Sequence, residues 1–588
     1  MAPASDPNSK PGAWAESKPG VWTRLLPWLV AAAAFLAFVP ALESLFVNWD
    51  DRANFLDNPE FQKLGLGELR WMFSTFHLAH YQPVTWLTWG LDKAVWGTNP
   101  FGYHLTNLLL HCAAAFLFCV LARRTLDKTL PESVEFHPFA AALAALLFAV
   151  HPLRVEAVAW ATERRELLSS LLYLGAVAVY LRIHWAEEGE SRPGIRWVWV
   201  LAALAMLSNV RTVSLPLALI LLDYHPLGRF SGGRGLRDPA VWREKIPFFL
   251  MALAAGVVGL MAQAATSTLI PVGKAGLSSR LAQSCFGVGF YLWKTLAPSG
   301  LASWYGDSYS DQRAWVAALG GLAAVALTAG LAASTAGRRP LAGRAMLAAW
   351  SWYLITLFPT LGIVKSGRQI VADRYSYLPC LALALLAAAG LSRLWTLARA
   401  GRIRRPVFAA AAASGVACLT CLGGATWRQC RVWNDSVSLW SRAQRIDPSS
   451  VFVRTNLGIA LLQSGQFAPA VEAFEAIKED AVGGMDPDSG RAFFSFVGSL
   501  TAIAHNNLGL ALFSAGKAAE AVAEFEKAVS RAPDFLDARL NLASALAKAG
   551  RTEAAAAHFE AVNRAAPGDP RAVRGLKGLR GRGRGRSP

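Results

Sequence analysis

Asn48-Trp49-Asp50-Asp51 sets two carboxylates side by side just past an apolar run. Adjacent carboxylates in a partly dehydrated site cannot both ionise cheaply unless a cation or a proton-accepting role compensates. One of them can act as general base toward an acceptor hydroxyl while the other helps hold a divalent metal ion. Asp50 and Asp51 are therefore candidate catalytic residues and candidate metal ligands. The competing reading is a solvated helix end, where Asp serves as a cap. Spacing alone leaves both open.

A second constellation is His151-Pro152-Leu153-Arg154-Val155-Glu156, followed by Glu163-Arg164-Arg165-Glu166. Glu156, Arg164 and Arg165 fall at the same membrane face as the Asp pair. Guanidinium groups make bidentate contacts to phosphate, although interfacial arginines also snorkel without binding anything. A third group is Lys365, Arg368, Asp373 and Arg374, ahead of Tyr375 and Tyr377. Three cations in ten residues on a side that should be cation-poor break the topology rule and suggest an anionic ligand such as a lipid phosphate. Tyr81-Gln82-Pro83 and Asn99-Pro100 with His104 are weaker signals, explained equally well by turns. Cys418 and Cys421 have redox-like spacing, but inside an apolar segment they read as small packing residues.

These groups must be positioned by a membrane bundle. Of the 588 residues, 54% are hydrophobic and 17% charged, against about a quarter charged in soluble domains. Apolar runs such as Trp22 to Leu42, Phe248 to Ala265 and Val407 to Ala425 are long enough to cross a bilayer core, which takes about 20 residues. The net charge of +18 would suit a nucleic-acid protein, but its placement argues otherwise. The gaps 121–137, 181–197, 228–245, 335–345 and 393–405 hold 19 Lys and Arg in 76 residues, against four in the 61 residues of 43–103. Short basic loops stay in the cytoplasm, so the basicity is a topology signal and no nucleic-acid partner is expected. Placing every basic gap inside puts loop 43–103 outside, and requires that 281–298, interrupted by Lys294 and Pro298, fail to cross. About 11 spans plus one re-entrant segment result.

From about 436 the chain becomes an Ala-rich array. Asn507-Leu508-Gly509 returns as Asn541-Leu542-Ala543, Gly516 as Gly550, Phe525 as Phe559 and Pro533 as Pro567, each after 34 residues. That period is the tetratricopeptide signature. The expected fold is all-α. A disordered cytoplasmic leader (1–20) precedes a multi-span membrane domain (21–428) with the outer loop 43–103. A tetratricopeptide-repeat α-solenoid (436–570) and a basic disordered tail (571–588) follow.

Phe46-Val47-Asn48-Trp49-Asp50-Asp51, Tyr81-Gln82-Pro83-Val84-Thr85, Gly102 to His111, Phe148 to Ala157, Asp223-Tyr224-His225-Pro226-Leu227 and Asp373 to Pro379 form an ordered set. With the repeats, the set resembles bacterial relatives of the transmembrane and tetratricopeptide-repeat protein O-mannosyltransferases, over about residues 20–570. The resemblance implies a GT-C class glycosyltransferase that uses a polyprenyl-phosphate sugar. It implies Asp50, Asp51 and Glu156 at the catalytic centre, with Arg374 and either Arg164 or Arg165 facing the donor phosphate. Lys365 and Arg368 join the phosphate-binding set, and Tyr81, Gln82, His151, Arg154 and Arg211 line the substrate pocket. Two departures stand out: Gln82 replaces an Arg, and Asn209-Val210 replaces Lys-Pro, with Arg211 displaced by two. The expected reaction moves a sugar, mannose being one candidate, to Ser or Thr hydroxyls of exported proteins, with the acceptor polypeptide held by the repeats. The expected location is the cytoplasmic (inner) membrane, repeats on the periplasmic side. The rivals are a non-catalytic membrane-anchored repeat scaffold for envelope proteins and a GT-C enzyme acting on a lipid or glycan.

Overall fold

The structure is a computed structural model, which describes residues 21–61, 63–186, 193–230, 238–266, 268–271, 273, 276–311, 313–335, 340–365, 367, 369–477 and 487–584. The expected leader 1–20 lies outside them. Among the described residues there is no strand; His77 and His80 form one isolated bridge.

Helix α1 (Val21–Phe38) buries Val30, Ala34 and Phe38 and turns Trp28, Leu29 and Leu36 outward. A helix apolar all round with large residues outside suits lipid as the solvent. The outer loop carries α2 (Leu66–Ser74) and α3 (Pro83–Trp96), and α4 (Pro100–Thr129) follows. Asn99 starts α4 by accepting a bond from the Phe101 N–H, and Pro100 fits the first turn, where its missing N–H costs nothing. Helices α5 (His137–Ala149) and α6 (Val155–Ala159) meet at a 53° bend. The bundle continues through α7 (Arg164–Trp185), α8 (Arg196–Ser208), α9 (Leu215–Tyr224), α10 (Pro239–Ala265), α11 (Leu277–Leu296) and the short α12 (Asp307–Asp311). It closes with α13 (Ala314–Ser334), α14 (Pro340–Leu357), α15 (Cys380–Arg399) and α16 (Arg405–Cys430).

Nine helices among the described residues are long and apolar enough to cross a membrane, and the bent pair adds one more. The chain is thus a multi-pass membrane protein. One of the nine, Gly490–Ser514, lies in the repeat array, where apolar faces are buried by neighbouring hairpins. In the bundle, α8 and α9 have 13 and 10 residues, too short to cross alone at about 1.5 Å per residue. They form an up-and-down pair broken at Val210–Ser214. With that pair counted as two legs, the eleven expected segments are all helical. Helix α11 keeps both ends at one end of the bundle: Arg280 donates to Ile270 O and Ile363 O, while the Thr295 carbonyl meets His151 Nε2. It packs on α13 at Gly289 and Gly320, where a Cβ on Gly320 would lie 2.1 Å from Cys285 O.

The array consists of α17 (Ser436–Ile446), α18 (Val451–Gln463), α19 (Phe467–Glu475), α20 (Pro487–Ser514), α21 (Ala518–Arg531), α22 (Leu536–Lys548), α23 (Thr552–Ala565) and α24 (Pro570–Arg584). Gly465, Gly516 and Gly550 turn successive hairpins at φ of 77°, 81° and 79°, a conformation that strains any residue with a Cβ. Phe474, Phe525 and Phe559 are buried at the following position of each unit. The expectation of a disordered tail over 571–588 is corrected as far as Arg584. Ala572, Leu576 and Leu579 give α24 one apolar face, which packs on the last hairpin. The Arg and Gly content of the segment hides that spacing.

Candidate active site

Asp51 ends the turn after α1 and is buried. Its Oδ2 accepts the Val47 N–H at 3.0 Å, and its Oδ1 accepts the Thr162 N–H at 3.0 Å and the Thr162 hydroxyl at 2.6 Å. Burial pushes its carboxyl up to about 7, against the opposing pull of those three bonds. Asp51 is a fastener between the outer loop and the start of α7. Both its oxygens face N–H or O–H donors, and among the described residues no group of three or more His, Cys, Asp or Glu side chains is placed to share a metal ion.

Asp50 is different. Its backbone sits at φ +57°, uncommon for a residue with a Cβ but tolerated by Asp. Its side chain accepts no hydrogen bond among the described residues. Burial raises its carboxyl above the usual range; Arg165 pulls it back, Glu163 adds to the rise and Arg374 lowers it. The preceding Trp49 stacks on Trp160 at 4.4 Å and leans on Trp440 of α17 at 5.4 Å. Asn48 continues the junction: its Oδ1 accepts from Trp440 Nε1 at 2.6 Å, and its N–H donates to the Ser436 hydroxyl at 2.9 Å. The repeat array is therefore bonded directly to the loop that bears Asp50.

Opposite Asp50 stands an alternating wall of three arginines and three glutamates. Arg374 is held by Glu156, which takes both its backbone N–H and its guanidinium. Its Nε lies 3.2 Å from Glu163. Arg165 also pairs with Glu163, and Arg211 bonds Glu166 at 3.0 Å while lying over the Tyr375 ring at 4.1 Å. Glu163 is the hub, 4.0 Å from Arg211 as well. The Nε of Arg165 is buried without a hydrogen-bond acceptor, so the wall has a donor to spare for an anion.

Beside it, a cavity of about 370 Å³ opens between α8 and α10. Met206, Leu207, Met251 and Val258 make its apolar wall, and His80, Tyr81, Gln82 and Asn209 its polar end. His80 is presented by a tight turn in which Leu78 and Ala79 both have positive φ. Burial holds His80 well below its ordinary pKa, with Arg165 and Arg211 acting the same way; the ring is neutral and sits in the field of the arginine wall.

The structure thus brings together Asp50, Arg165, Arg211 and Arg374, with Tyr81 and Gln82 at the cavity, and separates others. Glu156 is an anchor for Arg374, not a free acid. Arg164 turns the other way: it bonds Asn107 Oδ1, Thr88 O and Tyr103 O and pairs with Asp92, pinning α7 to α3 and α4. His151 caps its turn by accepting the Leu153 N–H. Arg154 is buried between the Phe148 and Tyr377 rings and donates to the Ser376 hydroxyl at 2.6 Å. Lys365 lies along a separate cleft with Gln283 and Asp311, and Arg368 lies outside the described residues. Glu163, Glu166 and His80 had no assigned role from sequence. The i, i+3 spacing of the two glutamates, which puts both on one helix face, is the signal that could have found them.

Comparison with known proteins agrees with this layout. Tetratricopeptide-repeat family models match residues 455–534 and 512–579. Protein O-mannosyl-transferase Tmtc3 of Drosophila melanogaster is 27% identical over 68% of this chain and 49% of its own length. The human protein O-mannosyl-transferases TMTC1 and TMTC4 are 34% and 29% identical over 26% and 34% of this chain, and over 18% and 30% of theirs. The chain spans about half the length of the fly protein, and less of the human ones.

Proposed function

We propose that this chain, a relative of the protein O-mannosyl-transferases, is a membrane glycosyltransferase moving a sugar from a polyprenyl-phosphate donor to Ser or Thr hydroxyls of a polypeptide. The observation that carries the reading is Asp50, a carboxylate free of hydrogen bonds facing Arg165 and Arg374, whose wall adjoins an apolar cavity. Asp50 takes the hydroxyl proton as the acceptor oxygen attacks the anomeric carbon. The bond from that carbon to the phosphate oxygen breaks, and its electron pair leaves with the lipid phosphate. Arg165, Arg211 and Arg374 face the charge that develops there. Attack opposite the leaving group inverts the anomeric centre. The cavity between α8 and α10 takes the first isoprene units of the donor, and the repeats hold the acceptor polypeptide above the loop. The relatives' names, protein O-mannosyl-transferases, make mannose the first sugar to try. The cation-poor end of the bundle, with its repeats, would face the periplasm across the inner membrane.

The test uses the full chain in nanodiscs, given polyprenyl-phosphate hexoses and extracts of exported proteins, with wild type compared with Asp50→Asn. Donor consumption and hexose-modified peptides with wild type alone are the expected result. A folded wild type that neither consumes nor transfers any donor, while still capturing the same polypeptides as Asp50→Asn, overturns the reading in favour of a scaffold.

A further inference from the structure

At the bundle end away from Asp50, a groove of about 440 Å³ lies between the start of α1 and the end of α4. Arg24, Arg123 and Arg124 line it from two helices, and Asp127 is its one carboxylate. Asp127 is already shared, 3.7 Å from Arg123 and 2.8 Å from His137 Nδ1. At this end some cations are paired: Arg393 with Glu132, Arg399 with Glu135, and Arg229 and Lys245 with Asp223 and Glu244. Arg24 and Arg124 have no such partner among the described residues, so the groove carries a local excess of about two positive charges. Its remaining walls include Leu26, Pro27, Phe116 and Val120. Trp28 packs on Phe116 at 4.7 Å and is exposed on the outer face of α1, as a side chain at a membrane interface would be.

Topology alone needs basic residues at this end, but it does not need them to converge on one recess with an apolar floor. We infer that this groove is a second anion site, which binds the phosphate of an anionic phospholipid. The guanidinium groups of Arg24, Arg123 and Arg124 take the phosphate oxygens, and the acyl chains run along Leu26 and Phe116. Its volume falls in the ordinary range for ligand sites, about 300–1,000 Å³, and basic recesses between membrane helices suit such headgroups. The site is independent of the sugar-transfer reading, since it shares no residue with the Asp50 wall.

The experiment is native mass spectrometry of the full chain released from nanodiscs of phosphatidylcholine with graded phosphatidylglycerol. Wild type should retain one tightly held phosphatidylglycerol more than Arg24→Gln/Arg124→Gln, whose half-retention should require at least tenfold more anionic lipid. Because a poorly folded variant would also lose lipid, Asp127→Asn supplies the opposite test: removing the groove's carboxylate should tighten retention. Arg211→Gln, at the other end, should leave this adduct unchanged. Equal retention by wild type and the double variant, or weaker retention by Asp127→Asn, would overturn the site. Inorganic phosphate at millimolar concentration should fail to displace the adduct; displacement would mean a free-phosphate site and overturn the lipid assignment.

Discussion

Asp223 and Lys245 are fully buried 2.8 Å apart near one end of the bundle, and every charge around them is matched. Tyr180 donates to Asp223 at 2.6 Å, Lys245 to Tyr180 at 2.7 Å, and Arg229 bridges Asp223 and Glu244. At the opposite end four carboxylates, Asp50, Glu156, Glu163 and Glu166, meet three guanidiniums, those of Arg165, Arg211 and Arg374. There one carboxylate, Asp50, is left with neither a hydrogen bond nor an ion pair among the described residues, and Arg165 Nε is left without an acceptor. In the first cluster Asp223 Oδ2 also lacks a hydrogen bond, but it is ion-paired with Lys245. The first cluster rests mainly on helices and closes on itself; the second sits on loop turns and helix starts, and remains open beside a cavity. Buried charge in a membrane bundle is therefore not by itself a mark of chemistry. A carboxylate left with neither a hydrogen bond nor an ion pair is.

That contrast breaks first at Asp50. Replacing it by Asn keeps size and removes the base, so transfer should fall by about 10²–10⁴-fold with folding intact, as read by product mass and thermal melting. Asp51→Asn should do the reverse in kind. An amide cannot accept from both Val47 and Thr162 in the present arrangement, so the variant should melt earlier. If Asp51→Asn abolished transfer at unchanged stability and Asp50→Asn did not, the roles assigned here would have to be exchanged.

At the closed cluster, Lys245→Met strands Asp223 without its closest cation. Breaking a buried ion pair from one side costs about 3–5 kcal/mol, and most of that should return in Lys245→Met/Asp223→Asn. Transfer per folded molecule should stay near wild type in both. A large loss of turnover in well-folded Lys245→Met would show that the two ends are coupled, and that the distinction between structural and reactive charge fails.

Much of this organisation was legible beforehand, for physical reasons. A 34-residue period survives in the sequence because each hairpin buries the same face, so Gly516, Gly550, Phe525 and Phe559 betray the array. Basic gaps alternate with apolar runs because charge resists crossing a bilayer, so parity excluded a full crossing by α11. What sequence could not settle is which of two neighbours faces the site. Arg164 and Arg165 differ by about 100° around α7; one meets Asp92 and the other Glu163. Asp50 and Asp51 are separated in the same way by tertiary donors: Thr162 lies 111 residues away from Asp51. The tail failed because composition concealed three apolar residues at helical spacing.

The pH profile sharpens the comparison further. A base must be deprotonated to act, and the Asp50 carboxyl is raised by burial and lowered by Arg165. The acid limb of transfer should therefore lie above the ordinary carboxylate range. Arg165→Gln removes a cation that favours the charged form, so the limb should move to still higher pH, whatever happens to the maximal rate. A limb that stays in place would mean that another group sets it.

The smallest expected effect concerns the seam between array and loop. Trp440→Phe keeps a ring against Trp49 and Phe452 but removes the indole N–H that bonds Asn48 Oδ1 at 2.6 Å. Such a bond contributes about 1 kcal/mol, so if it steadies the Asp50 turn, transfer should slow by about fivefold. Trp433 supplies the control: it is buried and stacks on Trp160 at 5.6 Å, but no hydrogen bond of its indole to Asn48 is present. Trp433→Phe should cost packing and stability without a matching loss of rate. Equal effects of the two substitutions on rate would mean that ring packing, not the Asn48 bond, holds the loop, and the array would then act on the site through bulk contact alone.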